Sequence, residues 1–309
     1  MQLPPPDPAR PFASILIPSS GRPRTLELTL DALCAQTIPT SNFEVIVVDD
    51  GAVPPLAARL TPYVHRLSLS SIRLERVGPS AGRNAAAKIA KSSLLIFLDD
   101  DCVPDPGWLQ AYRDAFDAAP DCALAGPIVN GLPENECAEA YHLIFRFLYS
   151  RHVAGTAGRS SAPFIISANF AVAANLFSAV GGFDETFRLA AEDRMFSETW
   201  LRHGRTFCAV PGSIVYHHRP LTLFSYLKQQ YRYGRGGYIF TRTLRERAWP
   251  RRPFEQRSFY RDLLLSAFQH PNPLHRIPLF LLLVLSQVAI AAGYAREYAR
   301  PYSRSRPVT

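Results

Sequence analysis

Short apolar runs alternate with helical repeats through most of this chain. Residues 13–18 form one such run and end in Pro18-Ser19-Ser20-Gly21-Arg22, a turn cluster. Pro23 suits a first helical turn, and Leu26, Leu30 and Leu33 recur behind it at helical spacing. A second run, 43–48, predicts another strand. Residues 71–77 alternate imperfectly and predict a third, broken by Gly78-Pro79-Ser80. An alanine-rich helix is expected over 81–91 and a strand over 94–98. Unbroken apolar runs belong to strands buried on both faces. Their alternation with helices predicts an α/β fold with a mostly parallel sheet flanked by crossover helices.

From 122 to 187 the pattern is less regular. Strands are expected over 123–129 and 164–173, a helix over 136–151, and a small polar loop over 155–161. A helix over 192–203, ended by Gly204, and a strand over 206–210 follow. Beyond Leu221 the character changes. Leu223, Phe224, Tyr226, Leu227, Tyr231 and Tyr233 make an aromatic helical surface, and seven arginines lie between Arg242 and Arg261. Residues 277–295 then carry no charge. At about 1.5 Å per residue this helical C-terminal extension reaches roughly the thickness of a bilayer core, although Pro278, Ser286, Gln287 and Gly293 weaken the pattern and an ordinary buried helix is the alternative. Arg276 stands before it and Arg296, Arg300, Arg304 and Arg306 after it, so flanking charge sets no direction across a membrane. A shallow or re-entrant insertion would keep both flanks on the cytoplasmic face. The expected division is an extended lead-in (1–12), an α/β domain (13–220), a basic helical extension (221–270), and an apolar helix with a basic tail (271–309). The N-terminus has no basic start and no apolar core, so no signal peptide is expected.

Composition narrows the class. Hydrophobic residues make up 47% and charged residues 19%, which excludes a disordered chain. The net charge is +8, and only Lys88, Lys91 and Lys228 among 34 basic residues are lysine. Arginine's planar fork suits phosphate. A basic cluster beside an apolar tail favours lipid over nucleic acid. Cys34, Cys102, Cys122, Cys137 and Cys208 are scattered, odd in number and form no CxxC pair. Free thiols in a reducing compartment are therefore expected, without a disulfide framework or zinc.

The candidate chemistry sits where the apolar runs end. Leu94-Leu95-Ile96-Phe97-Leu98 stops at Asp99, Asp100 and Asp101, and Val45-Ile46-Val47-Val48 stops at Asp49 and Asp50. Ligands of open α/β sheets bind at the carboxyl ends of strands. Adjacent carboxylates repel unless a cation sits among them, and Mg²⁺ or Mn²⁺ shares oxygen ligands with substrate phosphates. The plainer alternative for the triplet is an acidic loop capping the helix that begins near Asp105-Pro106.

Five stretches together resemble the family 2 glycosyltransferases of GT-A fold. They are Ile15-Leu16-Ile17-Pro18-Ser19-Ser20-Gly21-Arg22-Pro23, the strand ending Val-Val-Asp-Asp-Gly at Gly51, the Arg83-Asn84 helix start, Phe97 to Pro104, and Gly181-Gly182-Phe183-Asp184-Glu185 followed by Ala191-Glu192-Asp193. They span residues 13 to about 205, and their order and spacing are specific. One departure stands out: where the family commonly has an aromatic residue followed by asparagine, this chain has Ser20-Gly21, so no ring is offered there to stack on a base.

The resemblance implies an inverting, hexosyltransferase-like enzyme that moves a sugar from a nucleotide-diphosphate sugar to an acceptor hydroxyl with a divalent metal. It implies nucleotide-sugar contacts at Pro18, Ser20, Arg22, Asp49, Asp50, Arg83, Asp99 and Asp100. In that reading Asp50 accepts from the base, supported by Asp49. Asp99 or Asp100 touches the ribose or a metal-bound water. Asp101 is the direct metal ligand, with Asp99 beside it and one of His217 and His218, His217 preferred, completing the shell. Asp193 is the general base, with Glu192 next to it; Trp108 and Asn169 are expected on the acceptor side, with core roles as the alternative for both. The basic, apolar C-terminal region suggests a lipid-linked or cell-envelope glycan acceptor at a membrane surface, on its cytoplasmic face. The competing readings are a nucleotidyltransferase and a non-catalytic membrane adaptor that retains the fold.

Overall fold

The computed structural model describes residues 11–151, 159–160, 165–249 and 255–300. Most of the lead-in, most of the expected 155–161 loop, Phe164, Arg251, Arg252, Arg304 and Arg306 lie outside the described residues. The chain divides into two compact units. The first holds Met1–Glu134, His142–Arg188 and Glu192–Pro220, and the second Asn135–Tyr141, Leu189–Ala191 and Leu221–Thr309.

The strands are β1 (Ala13–Ser19), β2 (Phe43–Asp50), β3 (Ser68–Leu74), β4 (Leu94–Leu98), β5 (Cys102–Pro104), β6 (Ala123–Ala125), β7 (Ile128–Asn130), β8 (Arg159–Ser160), β9 (Asn169–Ala173), β10 (Phe207–Ala209) and β11 (Val215–His217). The helices are α1 (Pro23–Cys34), α2 (Ala57–Leu60), α3 (Pro79–Ile89), α4 (Trp108–Ala118), α5 (Glu136–Tyr149), α6 (Ala174–Ala179), α7 (Glu192–Arg202), α8 (Leu223–Glu246), α9 (Arg257–Leu265) and α10 (Pro273–Tyr298).

In the first unit eight strands pair in the order β3-β2-β1-β4-β9-β6-β10-β8. The β3-β2-β1-β4 half is wholly parallel, and β9 joins antiparallel to β4. Ser19 lies opposite Asp49, and Asp50 opposite Leu74, so the polar strand ends come out along one edge. Both faces of β1, β2 and β4 are covered, as their unbroken apolar runs require. One face meets an aromatic cluster in which Phe97 stacks on Phe170 at 4.6 Å and touches Phe177 and Phe183. A second sheet, β5-β11-β7, places His217 opposite both Cys102 and Asn130. Because β5 starts one residue after Asp101, this register brings His217 to the acidic triplet.

Several expectations are corrected. The third strand runs three residues earlier than 71–77, because Val77 and Gly78 leave the sheet to donate their amides to Asp50. Residues 123–129 are two strands in different sheets. Pro127 has no N–H to offer, and a Cβ on Gly126 would lie 2.2 Å from the Ser213 carbonyl oxygen. The strand expected over 164–173 begins only at Asn169. Cys122 and Cys208 form a disulfide, contrary to the expected free thiols, while Cys34, Cys102 and Cys137 are free. Parallel pairing of β6 with β10 carries these two together across a sequence separation of 86 that hides the pair.

The second unit holds α8, α9 and α10. A threonine capping box at Thr222 and Ser225 starts α8. Alongside it runs α10 in the same direction: Tyr226 donates to the Leu282 carbonyl, and Tyr238 packs edge-on to Tyr294. Gly234 faces the Ile290 carbonyl and Gly293 the Tyr231 carbonyl, where added Cβ atoms would come within 1.9 and 2.0 Å. Two glycines therefore let the backbones approach.

Candidate active site

The edge of the parallel sheet is built from backbone amides and carboxylates. Gly51 has φ +74 and turns the chain sharply after β2. Asp49 folds back into the following loop, accepting from the Ala52 and Leu56 amides at 2.9 and 3.0 Å and from Arg73 at 2.7 Å. Burial pushes this carboxyl up, but those amides and Arg73 outweigh it and hold it below its ordinary value. Asp49 thus anchors the loop that follows β2, directly before Asp50 in the chain. Asp50 accepts the Val77 and Gly78 amides at 2.7 and 2.9 Å. Each of its oxygens keeps lone-pair capacity for a further donor.

The triplet that ends β4 is sorted among three partners. Asp99 takes an ion pair from Arg83 at 2.7 Å. Asp100, fully buried, accepts from the Ser19 hydroxyl and pairs with Arg22. Asp101 pairs with Arg22 on one oxygen and with His217 Nε2 at 3.0 Å on the other. Burial raises Asp100 to about 6 against the pull of Arg22. Burial acts the same way on Asp101, yet His217 and then Arg22 outweigh it and hold it well below the carboxylate range. The Pro18-Ser19-Ser20-Gly21 turn carries Arg22 to this point. Pro18 packs beneath Gly82, and Ser20 is exposed at the loop.

The residues fit a divalent cation. Ligand atoms of Asp101, Cys102 and His217 all lie within 4.8 Å of one another, and all three residues are buried. Asp100 Oδ1 and Asp101 Oδ1 are buried oxygens that make no hydrogen bond, only ion pairs. Burial raises the Cys102 thiol well above its ordinary value, which leaves carboxylate and imidazole as the ready donors. His218, the other candidate for the shell, sends its amide to the Asp101 carbonyl and turns its ring onto Gly131.

Arg83 joins the strand-end acids to the second acidic group. Its guanidinium, 3% exposed, reaches Asp99 and also Glu192 at 3.3 Å, and lies over the Phe183 ring. Beside it Asn84 clamps the Phe183 backbone through both amide and carbonyl, at 2.9 and 2.8 Å. Gly182, at φ +69, comes close to the Asn84 side chain, so the Gly181-Gly182-Phe183 turn is seated on α3. Asp193 accepts the Arg194 amide at 2.8 Å. Burial, then the neighbouring Glu192 charge, push its carboxyl up to about 7. A carboxylate poised there suits a general base near neutrality.

Trp108 and Asn169 stand apart from this chemistry. Asn169 accepts from Trp108 Nε1 and Tyr112 OH, each at 2.9 Å, and donates to the Pro127 and Ser213 carbonyls. Both residues are buried, with every polar atom engaged in the core. Their acceptor-side expectation is corrected to that of bolts between β9, α4 and the two short strands. Ser19, which the sequence already places with the acids at the strand ends, reaches the site through Asp100. One site residue escapes sequence reasoning: His142 reads as part of the apolar face of α5. His142 Nε2 lies 3.0 Å from His217 Nδ1, both rings buried. A histidine among Ala138, Tyr141 and Phe145 was the available signal.

Residues 14–181 match the family model described as Glycosyl transferase family 2, a stretch that ends before Glu192 and Asp193. The chain is 27% identical over 242 residues to chondroitin synthase of Escherichia coli, covering 67% of this chain and 34% of that protein. It therefore spans about a third of that relative's length. Among solved structures, the mannosyltransferase PcManGT of Pyrobaculum calidifontis, in complex with GDP-Man and Mn²⁺, superposes with TM-score 0.58 at 18% identity, over 93% of this chain and 76% of that one. S. aureus TarS in complex with UDP-GlcNAc gives 0.52 at 18% identity, over 93% and 90%. At these identities the likeness is one of fold, and the fold is the GT-A type expected from the motifs.

Proposed function

The chain belongs to glycosyl transferase family 2, and from that premise we propose that it transfers a sugar from a nucleotide-diphosphate sugar to an acceptor hydroxyl, with inversion. The observation that carries the reading is Arg83, one buried guanidinium between Asp99 at the strand end and Glu192 beside Asp193. It ties the acids suited to a donor to the acid suited to an acceptor. Asp50 accepts from the base, and the exposed turn at Ser20 lines the nucleotide without a stacking ring. Arg22 offers guanidinium donors beside the triplet, where a diphosphate would compete for them. Asp101 and His217, with Asp99 alongside, would hold Mg²⁺ or Mn²⁺. When bound, the cation neutralises charge on the leaving diphosphate. Asp193 takes the proton of the acceptor hydroxyl as its oxygen bonds to the anomeric carbon and the bond from that carbon to the diphosphate breaks. A single displacement of this kind inverts the anomeric centre.

The acceptor side is read from the second unit. Its α10 is long and apolar enough to cross a membrane, with mean hydropathy 2.1 over its most apolar window, and only 22% of that window is buried. Leu279, Leu283, Ser286 and Gly293 are buried, whereas Ile277, Leu281, Leu285 and Val288 form an exposed stripe. Lys228 and Arg232 are exposed on α8, which runs beside α10. A spanning α10 would draw those charges into hydrocarbon, at about 2.5–3.5 kcal/mol for each one at the centre. This favours α10 lying in the membrane surface, apolar stripe inward, with a lipid-linked or envelope glycan acceptor presented there.

The test is turnover of a panel of nucleotide sugars, GDP- and UDP-linked, with and without Mn²⁺. Release of nucleoside diphosphate is expected; release of pyrophosphate would instead mark a nucleotidyltransferase. Asp193→Asn should cut turnover by about 10²–10⁴-fold with donor-induced thermal stabilisation intact. Undiminished turnover in that variant would remove Asp193 from the reaction.

A further inference from the structure

His142 is assigned no role by the family motifs, yet it sits directly behind His217. Three groups stand in line: Asp101 Oδ1, His217 and His142, with 3.0 Å between Asp101 Oδ1 and His217 Nε2 and 3.0 Å between His217 Nδ1 and His142 Nε2. All three residues are at most 3% exposed. The rings meet edge to face, 5.0 Å between centroids and 77° between planes. Phe145 closes on His142 from the same helix at 5.9 Å, so its ring is held by packing as well.

A neutral imidazole carries one N–H and one lone pair. For His217 to offer the Nε2 lone pair to a cation beside Asp101, its proton must stand on Nδ1. His142 Nε2 lies 3.0 Å from that nitrogen, and to take the proton it must accept. The reverse arrangement, with His142 Nε2–H donating to His217 Nδ1, forces the His217 proton onto Nε2 and closes it against Asp101. Outer partners of this kind fix ring orientation and tautomer in metal sites.

We propose that His142 is a positioning residue, which accepts the His217 Nδ1 proton and thereby turns the His217 Nε2 lone pair toward a divalent cation at Asp101. The proposal rests on the metal-dependent reading above. His142 touches neither donor nor acceptor. The two tautomers differ by one proton leaving His217 Nε2 and one arriving at His142 Nδ1, with the shared proton passing between the rings.

The measurement is Mn²⁺ affinity of the full chain without nucleotide, by titration of the free-ion paramagnetic resonance signal. His142→Leu, which cannot accept, should weaken Mn²⁺ by about 10–100-fold. His142→Gln, whose side-chain carbonyl accepts, should recover most of that loss. Imidazole ¹⁵N spectra of the unaltered, Mg²⁺-loaded chain should show His217 protonated at Nδ1, a readout that stands even if the leucine variant fails to fold. Leucine and wild-type chains binding Mn²⁺ equally would overturn the proposal, as would His217 protonated at Nε2 under Mg²⁺. Equal weakening by leucine and glutamine would reduce His142 to packing and likewise end it. Failure of the unaltered chain to bind Mn²⁺ is a separate outcome, which removes the metal reading and this proposal with it.

Discussion

Asp193 shows how burial and a neighbouring charge set chemistry at one residue. Its carboxyl is raised to about 7, first by burial and then by Glu192. As a general base it must be ionised, so kcat/KM should rise with pH and level off above about 7, and the rising limb should vanish in Asp193→Asn. Stability carries the opposite sign. Below the carboxylate pKa of the unfolded chain both states hold the proton and no cost arises. As pH climbs toward 7 the unfolded state ionises first, and stability is lost. Asp193→Asn, which cannot ionise, should therefore melt higher than wild type at pH 8, with the gap closing toward pH 4. Melting curves at the two pH values check this; equal gaps at both would contradict the burial of that carboxyl. Asp49 illustrates the reverse balance, a carboxyl held low by two amides and an arginine. Both acids were evident in the sequence. What each is used for depends on partners that come from residues far along the chain.

Among the elements, the α8 and α10 pair rests on two glycines. Added Cβ atoms at Gly234 and Gly293 would meet opposing carbonyl oxygens at 1.9 and 2.0 Å. Backbone cannot give way as a flexible side chain does, and overpacking costs about 1–3 kcal/mol or more. Gly293→Ala should lower the melting temperature by several degrees, while Ala291→Leu, at an exposed position of the same helix, should not; thermal melts of the two variants decide it. These contacts were hidden in sequence, where Gly293 reads only as a weak point in an apolar run. The strands tell a similar story. Those with unbroken apolar runs, β1, β2 and β4, fall where periodicity puts them. The short strands are only half legible: residues 123–129 are expected as one strand and form two, β6 and β7, in different sheets, because three residues are too few for a period and Gly126-Pro127 breaks the run.

For the whole molecule, net charge of +8 carried almost wholly by arginine meets an apolar helix left largely uncovered. Both features favour an anionic bilayer surface. The chain should float with vesicles containing anionic lipid and less so with neutral ones. Ile277→Asp with Leu285→Asp should release it at low salt, whereas raising salt alone should weaken but not abolish binding, because the buried apolar stripe is indifferent to screening. Flotation unaffected by the double aspartate would point to another surface. Turnover of a soluble acceptor should persist in that variant, which separates membrane binding from chemistry.

Local pattern alone determined the α/β class, the order of the main strands, the acids at their ends and the apolar C-terminal helix. Each of these follows from residues adjacent in sequence: unbroken apolar runs, helical spacing, carboxylates after a strand. Tertiary structure decided which acid meets which cation, that His142 stands behind His217, that Trp108 and Asn169 belong to the core, and that Cys122 reaches Cys208. Those are contacts between residues brought together by strand register and by close backbone approach, and no local spacing encodes them.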